Sequence, residues 1–393
     1  MNITDNHNSH TICMIAYANY FTDARIKNYV DILLKNGYEV DVFALGQPEP
    51  ARPGLQVFCL LPKVWSKKLL PYILSQLWFL LLVSLRINLN FARKHYSLIH
   101  VHNMPDFIVF GALIPKLFGA KVILDVHDTM PEHYASKFNL PLNHHLIKLI
   151  QIEERISAAF CDHVITTNDL HKEALVEHGI PANKISIIMN LGNPVIFHPI
   201  AKGEFTIGLT LGYHGTVAER LGIDLILKAI QHSRQYCQNI SFVLLGDGEF
   251  MPEVKRLIID YELEKIVQVK GWIPVEDLPA SLSNIDVGII GNRQYTESFN
   301  NWMLPVKMLE YAAMEIPTIA PRLKIICHYF DDNSAFFYTP DDAVDMAQRI
   351  IEICQQPEKI IQAKESLRKF NQRYNWSVLE HEYLDTVKRL ISD

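Results

Sequence analysis

Leu304-Pro305-Val306-Lys307-Met308-Leu309-Glu310-Tyr311, followed after a short turn by Ile316-Pro317-Thr318-Ile319-Ala320-Pro321, decides the reading of this chain. The stretch reads as a loop that becomes a helix and then hands over to a buried strand. Pro305 suits the first helical turn, where its missing N–H costs nothing. Free backbone N–H groups there, together with the positive end of the helix dipole, favour an anion such as phosphate. Lys307 adds a mobile positive charge near that end. Glu310, on the same helix, offers a carboxylate able to grip vicinal hydroxyls such as a ribose edge. A Lys and a Glu three apart also form ordinary solvated pairs, so both readings stand at this point. Phosphate followed by ribose describes a nucleotide.

Pro305-x-Lys307-x-x-Glu310-Tyr311 before a buried Ile-Pro-Thr-Ile-Ala strand resembles the nucleotide-sugar site of glycosyltransferase family 4, the retaining enzymes of GT-B fold. Most of that family carries two glutamates eight positions apart, the second on the ribose. Glu310 matches the second, whereas Trp302 stands at the first. The form resembles a branch in which Pro-x-Lys-x-x-Glu replaces the double-Glu motif. The resemblance runs from Thr11 to the last helix. It implies an α/β chain of two Rossmann-like domains facing across a cleft.

Size and composition agree with such a chain. Its 393 residues, 49% hydrophobic and 20% charged, suffice for two cores. A net charge of −6 argues against nucleic acid as the main partner. The six cysteines (Cys13, Cys59, Cys161, Cys237, Cys327, Cys354) are scattered without a Cys-x-x-Cys pair. That scatter suggests a reducing compartment and no structural zinc. The stretch from Met1 to His10 is polar, and no signal peptide is expected. Cytoplasmic residence, or attachment to the inner face of the cytoplasmic membrane, is the expectation.

Apolar runs alternate with helical patterns along the chain. Strands are expected at Thr11–Tyr17, Glu39–Ala44, Ser97–His102, Lys121–Val126 and His163–Thr167, with a helix from Asp23 to Asn36 closing at Gly37. The alternation predicts a parallel doubly wound sheet, with ligands beyond the carboxyl ends of its strands. After an irregular stretch to about Glu204 the pattern restarts. Strands are expected at Thr206–Tyr213, Ile240–Leu245, Ile266–Val269, Val287–Ile290 and Thr318–Ala320, with a helix from about Gly222. The domains expected are therefore 1–198 and 204–375. The terminal helix, 376–393, is assigned to the first by the resemblance.

Gly215 and Thr216 fall where a strand meets a loop, and Arg220 follows with a guanidinium fork matched to phosphate oxygens. The resemblance assigns Arg220 and Lys307 to the diphosphate and Glu310 to the ribose. It places Gly215, Thr216, Leu304, Pro305 and Val306 around the donor, with Trp272 and Ile273 bordering the nucleobase. His127, at the end of a first-domain strand, is implied to orient the sugar and stabilise positive charge at its anomeric carbon. Asp23, Arg25, His102, Asn103, Asp128 and Glu132 are candidates for acceptor hydroxyls. No His-Glu-x-x-His or Asp-x-Asp motif occurs, and neither a cofactor nor a metal is expected.

Ala51 to Pro105 contains no Asp or Glu but carries Arg52, Lys63, Lys67, Lys68, Arg86, Arg93 and Lys94. Within it, Leu69 to Leu85 is an apolar run of about 17 residues, near the lower limit for spanning a bilayer. Basic flanks, Trp78 and Tyr72 suit a helix lying in an anionic interface through 63–94. Burial against the first sheet is the alternative, and spanning is the least favoured.

The implied reaction moves a sugar from a nucleotide-diphosphate donor to an acceptor hydroxyl with retention, in cell-surface polysaccharide or lipid-linked glycan synthesis. Preorganised charge around the leaving diphosphate is the protein's main contribution, so no protein nucleophile is required. Trp302 and Thr216, at positions usually charged in the family, motivate an alternative as a binding or scaffold subunit. A nucleotide-sugar epimerase is another alternative. A dehydrogenase is disfavoured by the absence of Gly-x-Gly-x-x-Gly after the first strand.

Overall fold

The computed structural model describes residues 10–47, 52–62, 69–138, 140–200, 208–294 and 302–392. It divides into two compact units, Met1–Met189 with Ser377–Asp393, and Asn190–Trp376. Thr206, Lys63, Lys67 and Lys68, each part of a sequence expectation, lie outside the described residues.

Unit 1 is a parallel sheet in the order β3-β2-β1-β4-β5-β6-β7. The strands are β1 (Thr11–Asn19), β2 (Glu39–Leu45), β3 (Leu55–Leu61), β4 (Leu98–His102), β5 (Lys121–Val126), β6 (His163–Thr166) and β7 (Ile185–Ile187). Central strands β4, β5 and β6 are buried nearly throughout, as a sheet covered on both faces requires. Connecting them are α1 (Ala24–Lys35), α2 (Leu69–Lys94), α3 (Leu113–Leu117), α4 (Met130–Phe138), α5 (His145–Phe160) and α6 (Asp169–Glu177). Asp23 caps α1 by accepting from the Ile26 N–H. Gly37, at φ +80°, takes the left-handed turn into β2.

Unit 2 is a second parallel sheet, in the order β10-β9-β8-β11-β12-β13. Its strands are β8 (Leu209–His214), β9 (Ile240–Leu245), β10 (Val267–Gly271), β11 (Val287–Ile289), β12 (Thr318–Pro321) and β13 (Ala335–Tyr338). Its helices are α7 (Ile223–Ser233), α8 (Met251–Asp260), α9 (Leu278–Leu282), α10 (Val306–Ala313), α11 (Lys324–Tyr329), α12 (Ala343–Gln355) and α13 (Glu358–Arg373). The last helix, α14 (Trp376–Ser392), falls from Ser377 onward in unit 1. There the Tyr383 hydroxyl meets His100 Nδ1 at 3.0 Å.

Three strands are additional to those read from the sequence: β3, β7 and β13. All three lie at sheet edges: β7 and β13 are only three and four residues long, and β3 is half-exposed over most of its length. The cysteine reading needs correction. Cys237 and Cys354 form a disulfide, with Cα atoms 5.9 Å apart, as α7 and α12 pack together. A separation of 117 residues carries no spacing signal, and the pairing removes the cysteines as an argument for a reducing compartment.

Candidate active site

Unit 2 gathers its charged residues where β8 ends. β8 delivers Tyr213 and His214, and α10 delivers Lys307 and Glu310. Pro305 is the cap residue of α10, one position ahead of the first turn, and Leu304 before it is buried while Val306 is exposed. Lys307 Nζ donates to the Tyr213 hydroxyl at 2.6 Å, and that hydroxyl donates to the Thr216 carbonyl at 2.6 Å. Nζ also lies 3.9 Å from the Tyr213 ring centroid, a cation–π contact. The pKa of the ammonium is lowered to about 7, chiefly by burial; Glu310 works the other way, and Arg220 adds to the lowering. Lys307 as a residue keeps partial solvent exposure. The sequence reading of a mobile lysine is thus corrected, because the aromatic wall supplied by β8 holds it.

Glu310 Oε2 accepts from His214 Nε2 at 2.7 Å, which leaves Oε1 available. The His214 ring is buried, edge-on to Tyr311, whose hydroxyl donates to the Gly212 carbonyl at 2.9 Å. Gly215, at φ +104°, brings its Cα within reach of the lysine, a Cβ there falling 3.7 Å from Nζ. Gly222, at φ +64°, opens α7 where a Cβ would collide with the Gly291 carbonyl. Arg220 is exposed, in the turn just before it. Gly215, Thr216, Arg220, Lys307 and Glu310 are thus brought together. Trp272 and Ile273 are not in that group. They follow β10, the edge strand two places from β8, and Trp272 is 73% exposed. Trp302 lies beneath the Lys324 ammonium, 5.3 Å from its ring centroid.

Unit 1 gathers a different set around Asp125 on β5. Arg25 grips this carboxylate with two bonds, Nε to Oδ2 at 2.8 Å and Nη2 to Oδ1 at 2.7 Å. A third guanidinium nitrogen donates to the Ile188 carbonyl at 2.8 Å. His102 Nδ1 and His127 Nε2 stand 3.2 and 3.1 Å from Oδ2. Burial works to raise the Asp125 pKa, but Arg25 and His127 hold it well below the usual carboxylate range. A hydrogen on either ring nitrogen would be donated to that carboxylate oxygen, and the two nitrogens lie 3.3 Å from each other. The His127 ring is about a quarter exposed, with Nδ1 outside these contacts. Burial lowers the pKa of His102 and, more strongly, of His100.

Several acceptor candidates have other work in this unit. Arg25 is only 5% exposed and bonded through each of its three nitrogens to Asp125 or Ile188, while Asp23 is the cap of α1. Asn103 accepts from the His127 N–H and donates to the Asp128 carbonyl, both at 2.8 Å, stitching the loop after β4 to the loop after β5. Glu132 is buried against His178 Nε2 at 3.1 Å. Asp128 is partly exposed beside His127. Ligating atoms of His100, His102 and Asp125 lie within 4.8 Å of one another among the described residues, but both carboxylate oxygens already hold the Arg25 cation. That donor set is poorly suited to a metal.

The sequence reading missed Asp125, Tyr213 and His214 as partners. Asp125 had a visible signal, a lone carboxylate within the apolar strand Val122 to Val126. A buried carboxylate requires a cation, and Arg25 is that cation, 100 residues away.

Comparison with known proteins finds matches in both units. Residues 25–191 match the profile described as Glycosyltransferase Family 4, and residues 208–356 match Glycosyl transferases group 1. WcaL of Escherichia coli (strain K12), described as a candidate glycosyltransferase of colanic acid biosynthesis, is 22% identical over 252 residues, 63% of this chain and 61% of WcaL. The chain thus spans about three fifths of that relative's length. Sucrose-phosphate synthase from Thermosynechococcus elongatus superposes with a TM-score of 0.76 at 17% identity, covering 98% of this chain and 99% of that one. Anabaena HepE in complex with UDP gives 0.68 at 14% identity, over 97% and 100%. The chain is built on the GT-B fold from two glycosyltransferase domains, a Glycosyltransferase Family 4 domain at residues 25–191 followed by a Glycosyl transferases group 1 domain at residues 208–356.

Proposed function

We propose that the protein is a retaining glycosyltransferase that moves a sugar from a nucleotide-diphosphate donor to an acceptor hydroxyl in the synthesis of a cell-surface polysaccharide or lipid-linked glycan. The observation that carries this reading is the cluster on β8 and α10. An enclosed lysine, an exposed arginine and a carboxylate with one free oxygen stand within one unit. Such a set matches a diphosphate followed by a ribose. Structures of HepE include complexes with UDP and with UDP-glucose, which makes uridine diphosphate the first ligand to try.

In the proposed reaction the bond from the anomeric carbon to the diphosphate oxygen breaks, and the acceptor oxygen bonds to that carbon from the same face. The acceptor proton passes to the departing phosphate oxygen. Arg220, Lys307 and the start of α10 stabilise the negative charge that builds on the diphosphate. Glu310 holds the ribose diol, and His127, through Nδ1, orients a sugar hydroxyl. No metal is invoked. The reaction is assigned to the inner face of the cytoplasmic membrane, with α2 in peripheral contact.

Thermal stabilisation by UDP, GDP, ADP, CMP and their sugar conjugates, on the wild type and on Glu310→Ala, tests the proposal. Selective stabilisation by one nucleotide, lost in the variant, is expected. No stabilisation at millimolar concentration would sink the donor site. Binding without transfer across a broad acceptor panel would favour a scaffold subunit, and donor turnover without acceptor an epimerase.

A further inference from the structure

The face of unit 1 that carries α2 also carries α3 and α5. Helix α2 is long and apolar enough from Pro71 to Lys94 to cross a bilayer. Its two sides nevertheless do different things. Phe79, Val83, Ile87 and Phe91 are at most 8% exposed and pack on the sheet, and the Tyr17 hydroxyl bonds Ser75 Oγ at 2.6 Å. On the other side Leu74, Leu77, Trp78, Leu81, Leu85 and Leu89 are each 43–62% exposed. Threading this helix through hydrocarbon would pull the first stripe out of the core.

The apolar surface continues beyond α2. The Phe91 ring of α2 lies 6.3 Å from Phe118, at the end of α3, and Phe118 and Leu117 are three-quarters exposed. Phe110, just before α3, lies 5.2 Å from Phe160 at the end of α5. Outward on α5, Leu149, Ile152 and Ile156 recur at helical spacing, each half or more exposed. Beside them is an open groove of about 590 Å³, lined by Ile152, Arg155, Ile156, Gly179, Ile180 and Lys184.

Charge on this face is segregated in a chain whose net charge is −6. Helices α2 and α3 contain no Asp or Glu, and exposed Arg86 and Arg93 punctuate α2. Both carboxylates of α5 turn inward: Glu154 is fully buried and Glu153 accepts from Ser157. Its exposed ions are Lys148 and Arg155, on either side of Ile152. Asp162, next to α3, is neutralised by Lys116 at 2.5 Å.

We infer that α2, α3 and α5 form one continuous docking surface for an anionic lipid bilayer, on which the protein lies flat. This rests on the proposed membrane contact of α2 and extends it to α5 and its groove. Long aliphatic side chains over such an area want a hydrocarbon phase, and the cations beside them want phosphate headgroups. A second copy of the chain is a poor occupant, because its cations would meet these cations.

The test is co-sedimentation of the full chain with vesicles of phosphatidylcholine, alone or mixed with phosphatidylglycerol. Comparison is with Lys148→Ala/Arg155→Ala on α5 and Leu77→Ser/Leu81→Ser on α2. All four positions are exposed, and unchanged circular dichroism checks the fold. The wild type is expected to prefer the anionic vesicles. The α5 variant should lose about 30-fold in partitioning, since each basic residue near such a surface contributes about a factor of five. Loss in the α2 variant alone would overturn the three-helix surface while sparing the α2 contact. Equal binding to neutral vesicles, no binding, or a dimer that the α5 variant dissolves would overturn the bilayer as occupant. Binding is read without donor or acceptor, so failure of the transfer reading would show separately.

Discussion

Lys307 Nζ donates to the Tyr213 hydroxyl at 2.6 Å, beneath an aromatic ring that also faces its charge. Burial brings this ammonium to about 7 in the nucleotide-free protein. A bound diphosphate would raise that value again by adding negative charge, so binding takes up a proton wherever the free lysine is neutral. Nucleotide affinity should therefore be flat below pH 7 and weaken above it, by at most about tenfold per pH unit for one proton. Titration calorimetry in buffers of different ionisation enthalpy measures the uptake. Lys307→Met should bind more weakly and lose the pH dependence. A wild-type affinity constant from pH 6 to pH 9 would remove Lys307 from the phosphate site.

His214 holds one oxygen of Glu310 and leaves the other for a ligand. A hydrogen bond to a charged group contributes about 1.5–3 kcal/mol. Replacing His214 with leucine frees the carboxylate to swing, and nucleotide affinity should fall about tenfold without loss of fold. Glu310→Ala should fall at least as far, and the double variant no further than Glu310→Ala. Additive losses, measured by the same titrations, would mean that the two residues act separately.

The parts of this chain readable from sequence are those with local causes. The central strands announce themselves as apolar runs, Gly37 as a stop, and Pro305-x-Lys307-x-x-Glu310 as a loop entering a helix. Edge strands β7 and β13 are too short for an apolar run to stand out, whereas β3, with its apolar Val57 to Leu61, was legible and went unread. The partners of the charged residues were hidden for another reason. Arg25 and Asp125 are 100 residues apart, and His214 and Glu310 are 96 apart. Only sheet order makes such pairs neighbours. Arg25 therefore looked like an acceptor ligand, although its environment is that of a buried counter-ion. Cys237 and Cys354 were obscure in the same way.

Asp125 holds the His127 ring through Nε2, and Arg25 keeps Asp125 charged. Asp125→Asn leaves the guanidinium buried without its anion, which costs about 3–5 kcal/mol. Replacing both residues, as in Arg25→Met/Asp125→Leu, should recover much of that stability, because the desolvation of both charges is removed together. Transfer should nevertheless stay at least about tenfold down in the double variant, since His127 has lost the group that orients its ring. Denaturation midpoints and turnover, read on the same preparations, separate the two effects. Full activity in a stable double variant would make the pair purely structural.

The last prediction concerns stability rather than chemistry. Glu153 on α5 has its pKa raised from 4.5 to about 7, chiefly by burial; the Ser157 hydroxyl pulls it down, while Glu154 pushes it up. Asp106, buried close by, is raised by burial and then by Glu153 and Glu154, with the Asn103 side chain pulling the other way. A carboxyl whose folded pKa is raised holds its proton more tightly in the folded state. Its contribution is intact below the unfolded value and is lost as pH rises through the folded one. Alkaline conditions force a charge into this cluster. Glu153→Gln keeps the acceptor for Ser157 and cannot ionise. It should stabilise the protein by about 1–3 kcal/mol at pH 8, with the gain shrinking towards zero near pH 4.5. Urea denaturation of the two proteins at pH 5 and pH 8 measures the difference. A gain that is equal at both values would trace the effect to packing, and a loss at pH 8 would show that the ionised carboxylate has a partner worth keeping.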